Sequence, residues 1–198
     1  MNKTGSCQHT RRALTKGTCI VLALACVAAR AAPADEMLKG HHVIATAPMA
    51  AGSPVRRYRI VVLGRNGEGV ERPAPRPLLV FEETNGQPRL MARNDHVAMR
   101  ADEGGQCDPF DPASSESGGI AVKGRYFTIE NGVGCGNHWT DNITFRLDDR
   151  LGFVFDNRRM QTWRNNADQR DEADALVGGA VRITRGDRKR PVSLQHYR

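Results

Sequence analysis

The side chains best suited to chemistry lie in one glycine-rich stretch, Gly134–Asp141 (GCGNHWTD). His138 and the carboxylate of Asp141 are residue types that act together as a general base and its orienting partner. Cys135 is a candidate nucleophile beside that histidine, provided its thiol is free. Residues three apart in a strand point to opposite faces, so His138 and Asp141 pair only if a turn lies between them.

A structural role is the main alternative for the same stretch. In that interpretation Cys135 is bridged, Trp139 packs over the bridge and His138 hydrogen-bonds at the edge of a loop. A third interpretation makes Asn137, His138 and Trp139 the contacts of a bound ligand. The sequence therefore gives His138 and Asp141 as catalytic candidates, and Asn137, His138 and Trp139 as binding candidates.

Two other motifs suggest a bound ion or cofactor but lack the required pattern. The acidic loop Asp102–Gly119 offers the oxygen donors that calcium prefers, but not the EF-hand spacing, so a solvated loop is the simpler interpretation. The Gly64–Gly69 stretch (GRNGEG) follows a strand as a dinucleotide loop would. Prolines at positions 73, 75 and 77 forbid the helix that such a loop must open. We expect neither a cofactor nor a metal.

Residues 1–31 have the parts of an export signal. A basic start (Lys3, Arg11, Arg12, Lys16) precedes the apolar run Thr18–Ala29, and small residues around Arg30 suit signal peptidase. The run is shorter than the roughly 20 residues that cross a bilayer. We expect cleavage near residue 31 and a periplasmic or secreted protein that is not integral to the membrane. An uncleaved anchor and a lipid on Cys26 are the alternatives.

Removal of the signal changes the net charge. The signal holds five of the 29 basic residues and none of the 22 acidic ones, so the net charge falls from +7 to +2. A net charge this close to zero lacks the strong positive charge that is typical of nucleic-acid-binding proteins. The remaining excess lies at the basic C-terminal end, which we interpret as a solvated tail, with an acidic partner or an anionic envelope surface as alternatives.

The cysteine count also depends on the signal. Three of the five cysteines leave with it, and Cys107 and Cys135 remain. An even pair in an exported chain predicts one disulfide. Two free thiols are the alternative.

Short runs of β-branched and aromatic residues, separated by turn residues, predict an all-β fold. Along residues 140–147, Ile143, Phe145 and Leu147 alternate with polar residues, which is typical of a half-buried strand. Asn85-Gly86 indicates a hairpin. We expect a single antiparallel β-sandwich or small barrel with long loops and little helix, apart from one candidate helix over 166–177. The side chains predicted to be buried are Phe127, Ile129, Ile143, Phe145, Phe153 and Phe155.

The predicted organisation has four parts. A cleaved signal (1–31) precedes a flexible mature N-terminus (32–54) with one short strand, then a β domain (55–184) and a basic tail (185–198). Within the β domain, Asn131-Gly132 is expected to turn the chain.

Five short runs resemble a group of exported, β-rich proteobacterial proteins of unknown function. These are Phe127–Glu130, Cys135-Gly136, His138–Asp141, Ile143–Arg146 and Phe153–Phe155. The resemblance implies an exported β-rich domain and brings no activity, cofactor or substrate.

The sequence favours a binding protein over an enzyme. The partner would be another protein or a component of the cell envelope. A hydrolase using His138 and Asp141 is one alternative. The other is an inhibitor or immunity-type protein that blocks an envelope-targeting enzyme through the Asp102–Gly119 loop.

Overall fold

A computed structural model of the chain describes residues 38–84, 86–103, 108–110, 118–133, 138–167 and 175–198. By internal contacts the chain divides into residues 1–30 and 31–198, and every described residue belongs to the second unit. The described residues form nine strands and one short 3-10 helix, Leu194–His196. The strands are β1 (His41–Ala51), β2 (Arg56–Arg65), β3 (Arg76–Thr84), β4 (Gln87–Ala98), β5 (Ile120–Lys123), β6 (Tyr126–Val133), β7 (His138–Asp148), β8 (Gly152–Asn165) and β9 (Leu176–Arg185).

The strands form two antiparallel sheets. One has the order β1-β2-β3-β4 and the other the order β5-β6-β7-β8-β9, so within each sheet every strand pairs with its neighbours in sequence. Tight turns make this meander possible. Between β3 and β4, Thr84 pairs with Gln87, and Gly86 takes a φ of +75°, a left-handed conformation that glycine adopts at little cost. The predicted all-β sandwich is confirmed.

Alternating side chains from the two sheets form a shared core. On β7, Ile143, Phe145 and Leu147 are buried whereas Thr144 is only half-buried, so the predicted register is confirmed. Tyr58 of the four-stranded sheet meets Phe153 of the five-stranded sheet edge to face, with ring centroids 5.2 Å apart. The other predicted core residues also pack in this layer, in the case of Phe155 only partly.

The four-stranded sheet also carries apolar residues on its opposite face. Val61, Leu63, Leu79 and Phe81 form a second buried cluster, against which Leu38 and Leu90 pack. The central strands β2 and β3 are therefore apolar on both faces, which accounts for their nearly continuous apolar sequence.

Three predicted boundaries differ from the structure. Part of the expected flexible N-terminus, His41–Ala51, is β1, whose backbone pairs with β2 along its whole length. Asn131-Gly132 does not turn the chain but continues β6, because both residues stay in register with β7. Val177, expected in a helix, pairs with Arg164 of β8 as part of β9.

The predicted solvated tail is also wrong in part, because the last residues are packed against the sandwich. Leu194 is fully buried in the core. The Asn94 carboxamide nitrogen donates hydrogen bonds to the carbonyls of Leu194 and Tyr197, at 2.7 and 2.8 Å. The Tyr197 ring lies on Phe155, with ring centroids 4.7 Å apart. Leu194 and Tyr197, together with the hydrogen bonds from Asn94, anchor this end of the chain.

Candidate functional site

The structure places three of the predicted site residues at the start of β7. His138 is the first residue of the strand, and Trp139 and Asp141 follow. Asn137, Cys107 and Cys135 lie outside the described residues. The Cys107–Cys135 disulfide and the ligand contact at Asn137 therefore stay predictions.

His138 and Asp141 are not brought together, because no turn lies between them. Asp141 accepts two hydrogen bonds from Arg158, at 2.7 Å from Nε and 2.6 Å from Nη2. His138 stands at an odd offset along the same strand, so its ring lies on the other face of the sheet. Its buried Nδ1 has no hydrogen-bond partner among the described residues. The candidate base and its candidate orienting carboxylate are thus separated by the sheet.

Trp139 and Asp141 instead line a cavity of about 690 Å³. It lies between the inner face of the five-stranded sheet, the end of β4 and the C-terminal residues. Its lining combines apolar and aromatic side chains with a similar number of charged and polar ones. Among the lining residues are Met99, Trp139, Asp141, Ile143, Arg158, Met160, Arg182 and Tyr197.

Strand register explains why these side chains share one face. Asp141 pairs with Met160 of β8, and Met160 pairs with Arg182 of β9, so the three stand side by side across the sheet. Ile143 pairs with Arg158 in the next inward-facing row. An extra residue in β8, between the partners of Thr144 and Phe145, shifts the alternation and turns Arg158 inward.

Two buried asparagines hold the cavity wall that the end of β4 and the C-terminal residues form. Asn131 of β6 accepts a hydrogen bond from the Met99 N–H at 2.9 Å and donates one to the Val97 carbonyl at 2.8 Å. These bonds tie the end of β4 to the five-stranded sheet. Asn94 holds the backbone of Tyr197, which closes the same side of the cavity. Hydrogen bonds from asparagine side chains of both sheets to backbone groups thus fix this wall of the cavity.

The charges in the cavity are not all balanced. The hydrogen bonds and the negative charge of Asp141 raise the pKa of Arg158, so that pair is neutral as a unit. Burial raises the pKa of the Tyr197 phenol, which keeps it protonated. Arg182, in contrast, has no ion-pair partner among the described residues. Among the lining residues, Arg182 and Arg198 thus present guanidinium groups that no described carboxylate pairs with, while the Glu103 carboxylate is paired with Arg100.

The other candidate sites do not assemble among the described residues. Asp108 forms an ion pair with Arg76, while Asp102 and Glu103 form ion pairs with Arg100. No group of three potential metal ligands occurs in the described ranges. Asp111 and Glu116 of the same acidic loop lie outside them.

Sequence reasoning missed Arg158, Met160, Arg182 and Tyr197 as cavity residues. Strict alternation from Phe153 and Phe155 would turn Arg158 outward, and only the extra residue in β8 reverses this. The basic composition of the C-terminal end gave no sign that Tyr197 packs at the cavity. An unbroken strand in the register of the β7–β8 hairpin would have put Arg159, not Met160, beside Asp141, so strand length alone gave no signal for Met160.

Searches of protein-family models, of curated proteins and of solved structures found no significant match to this chain. Within the described residues there is no helix long and apolar enough to span a membrane. The cavity is accordingly the feature from which a function can be inferred.

Proposed function

We propose that this chain is an exported, soluble binding protein that holds a small amphipathic anion in the cavity beside Trp139. The export signal in residues 1–31 supports a role in the periplasm or outside the cell. The observation that carries the binding proposal is the Arg182 guanidinium, which lines a partly apolar cavity and has no ion-pair partner among the described residues. An anionic group would pair with it while an apolar body contacts the walls.

The size and lining of the cavity support this ligand class. Binding cavities for small molecules typically measure about 300–1,000 Å³ and combine apolar walls with a few polar groups. Ile143 and Met160 supply apolar surface, and Trp139 supplies a flat ring. The Arg158–Asp141 pair adds fixed polar groups without adding net charge.

A hydrolase is less well supported. Asp141 is held by Arg158, and its nearest predicted partner, His138, faces the other side of the sheet. Most of the loop that an inhibitor would present, within Asp102–Gly119, lies outside the described residues. No observation of the described residues favours either alternative over binding.

Tryptophan fluorescence tests the proposal, because the chain has only two tryptophans. A Trp163→Phe variant leaves Trp139 as the only reporter. We expect decanoate, an apolar chain with a carboxylate, to change Trp139 emission in a saturable titration. Decyltrimethylammonium, with a similar chain and the opposite charge, should leave the emission unchanged because Arg182 repels it.

Two arginines on β9 provide a matched pair of variants. Arg182 faces the cavity, whereas Arg185, three residues later, lies on the other face of the sheet. Loss of one charge-assisted contact should weaken decanoate binding roughly tenfold or more in Arg182→Gln, and leave it unchanged in Arg185→Gln. Equal effects of the two variants, or equal binding of the two detergent-like probes, would contradict the proposal.

A further inference from the structure

Strand β9 lies at the edge of the five-stranded sheet and is open along its length. Among the described strands it pairs with β8 alone. Every residue from Gly178 to Arg185 is exposed. A long, exposed edge strand offers unpaired backbone groups to another extended chain, and many proteins block such edges.

The direction of the free backbone groups follows from one hydrogen bond. The Gly186 N–H donates to the Asp156 carbonyl of β8 at 2.7 Å. Because backbone groups along an antiparallel strand alternate in direction, those of Thr184 and Arg182 also point to β8. The N–H and C=O groups of Val181, Ile183 and Arg185 therefore point away from the sheet.

Side chains at the same edge indicate what would pair there. Val181 and Ile183 are large apolar residues that are 46% and 51% exposed, on the sheet face opposite the cavity. Between Leu176 and Arg190 the chain has five basic residues and one acidic residue, Asp187. Asp187 is itself bonded to Arg190 and to the backbone of Lys189. The edge is thus apolar on one face and strongly basic.

We propose that the edge of β9 binds an extended, acidic segment of a partner protein by strand addition. The segment would place apolar side chains beside Val181 and Ile183, and acidic ones on the alternate face near Arg182. A second copy of this chain fits less well, because it would bring the same five basic residues to the same edge. The strand-addition proposal shares Arg182 with the cavity proposal, so it is tested at Ile183, which does not line the cavity.

A synthetic peptide tests the edge directly. The probe is a capped nine-residue peptide that alternates valine and glutamate, and its control carries lysine in place of glutamate. We expect the acidic peptide to bind the full mature protein and the basic peptide not to bind. Binding should weaken as salt rises from about 50 to 500 mM, because screening reduces the charge attraction.

Variants at Ile183 separate backbone pairing from side-chain contact. Ile183→Pro removes an outward N–H and leaves the pairing with β8 intact, so circular dichroism and Tm should stay close to those of the wild type. We expect Ile183→Pro to bind the acidic peptide roughly tenfold or more weakly, while Ile183→Thr retains most of the binding. Decanoate binding should be unchanged in both variants.

Three results would overturn the strand-addition proposal. The first is equal binding of the acidic and basic peptides, or binding of neither at millimolar concentration. The second is undiminished binding to a folded Ile183→Pro variant. The third is a dimer, seen by sedimentation, that Ile183→Pro dissociates, since the edge would then serve self-association. Loss of decanoate binding alone would concern only the cavity.

Discussion

Arg76 is the residue that joins the β2–β3 connection to the loop after β4. Its side chain is almost fully buried and contacts Glu68, Asp108 and the Met99 carbonyl. Burial alone would raise the pKa of Asp108, but the hydrogen bonds from Arg76 and from the Phe110 N–H outweigh it and lower that pKa. Arg76 therefore fixes a charged network next to the cavity wall at Met99.

Replacement of Arg76 should be far more damaging than replacement of a surface arginine. In Arg76→Leu, two carboxylates lose their cation in a buried setting, and we expect a loss of about 3–5 kcal/mol in the free energy of unfolding. Arg93 forms a comparable pair with Asp95 on the exposed surface, so Arg93→Leu should cost about 0–1 kcal/mol. Urea denaturation compares the two, and similar losses would show that the Arg76 network is not structural.

Trp139 illustrates how far the sequence could predict the site. The sequence identified the residue but not its role, because burial over a disulfide and contact with a ligand use the same side chain. The structure places Trp139 half-buried at the cavity, on the margin of the core. Its environment depends on β8 and the C-terminal residues, and no local pattern around residue 139 encodes them.

Alanine substitutions distinguish a packing role from a contact role for Trp139. Phe145→Ala, in the fully buried core, should cost about 3–5 kcal/mol of stability. Trp139→Ala should cost about 1–2 kcal/mol because the side chain is only partly buried, and it should abolish decanoate binding. Thermal denaturation of both variants decides this. A loss in Trp139→Ala as large as that in Phe145→Ala would restore the purely structural interpretation.

At the scale of the elements, the strands differ in how well local sequence predicts them. The alternation of β7 is regular, and both its register and its buried face follow from the sequence alone. In β8, a register shift breaks the alternation where Phe155 gives way to Arg158. Such a shift leaves no local signature, because pairing with β7 and β9 stabilises it. Cavity residues on β7 were therefore predictable, and those on β8 and β9 were not.

The exit from β9 depends on a close backbone contact at Gly186. A Cβ atom there would lie 2.3 Å from the Phe155 carbonyl oxygen, a contact that only backbone movement can relieve. Gly186→Ala should lower the free energy of unfolding by about 1–3 kcal/mol. Gly69→Ala is the control, since no atom lies within 4 Å of its Cβ position, and it should change stability by less than about 0.5 kcal/mol. If the two variants were equally stable in urea denaturation, the backbone at Gly186 would not be packed against the Phe155 carbonyl.

At the scale of the whole molecule, the described residues form a β-sandwich with a cavity beside its five-stranded sheet. Export is expected from the N-terminal sequence, and it would remove 1–31 and three of the five cysteines. Intact mass of protein secreted by a Gram-negative host should show this loss, and thiol titration in denaturant should find no free cysteine. A full-length chain would contradict export. Two titrating thiols in the cleaved protein would contradict the Cys107–Cys135 bridge.

The most direct test of ligand binding is methionine-methyl NMR, because the methionines report on different places. Met99 and Met160 line the cavity, whereas Met49 is in the core and Met91 of β4 is not a lining residue. On titration with decanoate, we expect saturable shifts of the Met99 and Met160 methyl signals while those of Met49 and Met91 stay in place. Unmoved Met99 and Met160 signals, or larger shifts at Met91, would show that the cavity does not bind the amphipathic anion.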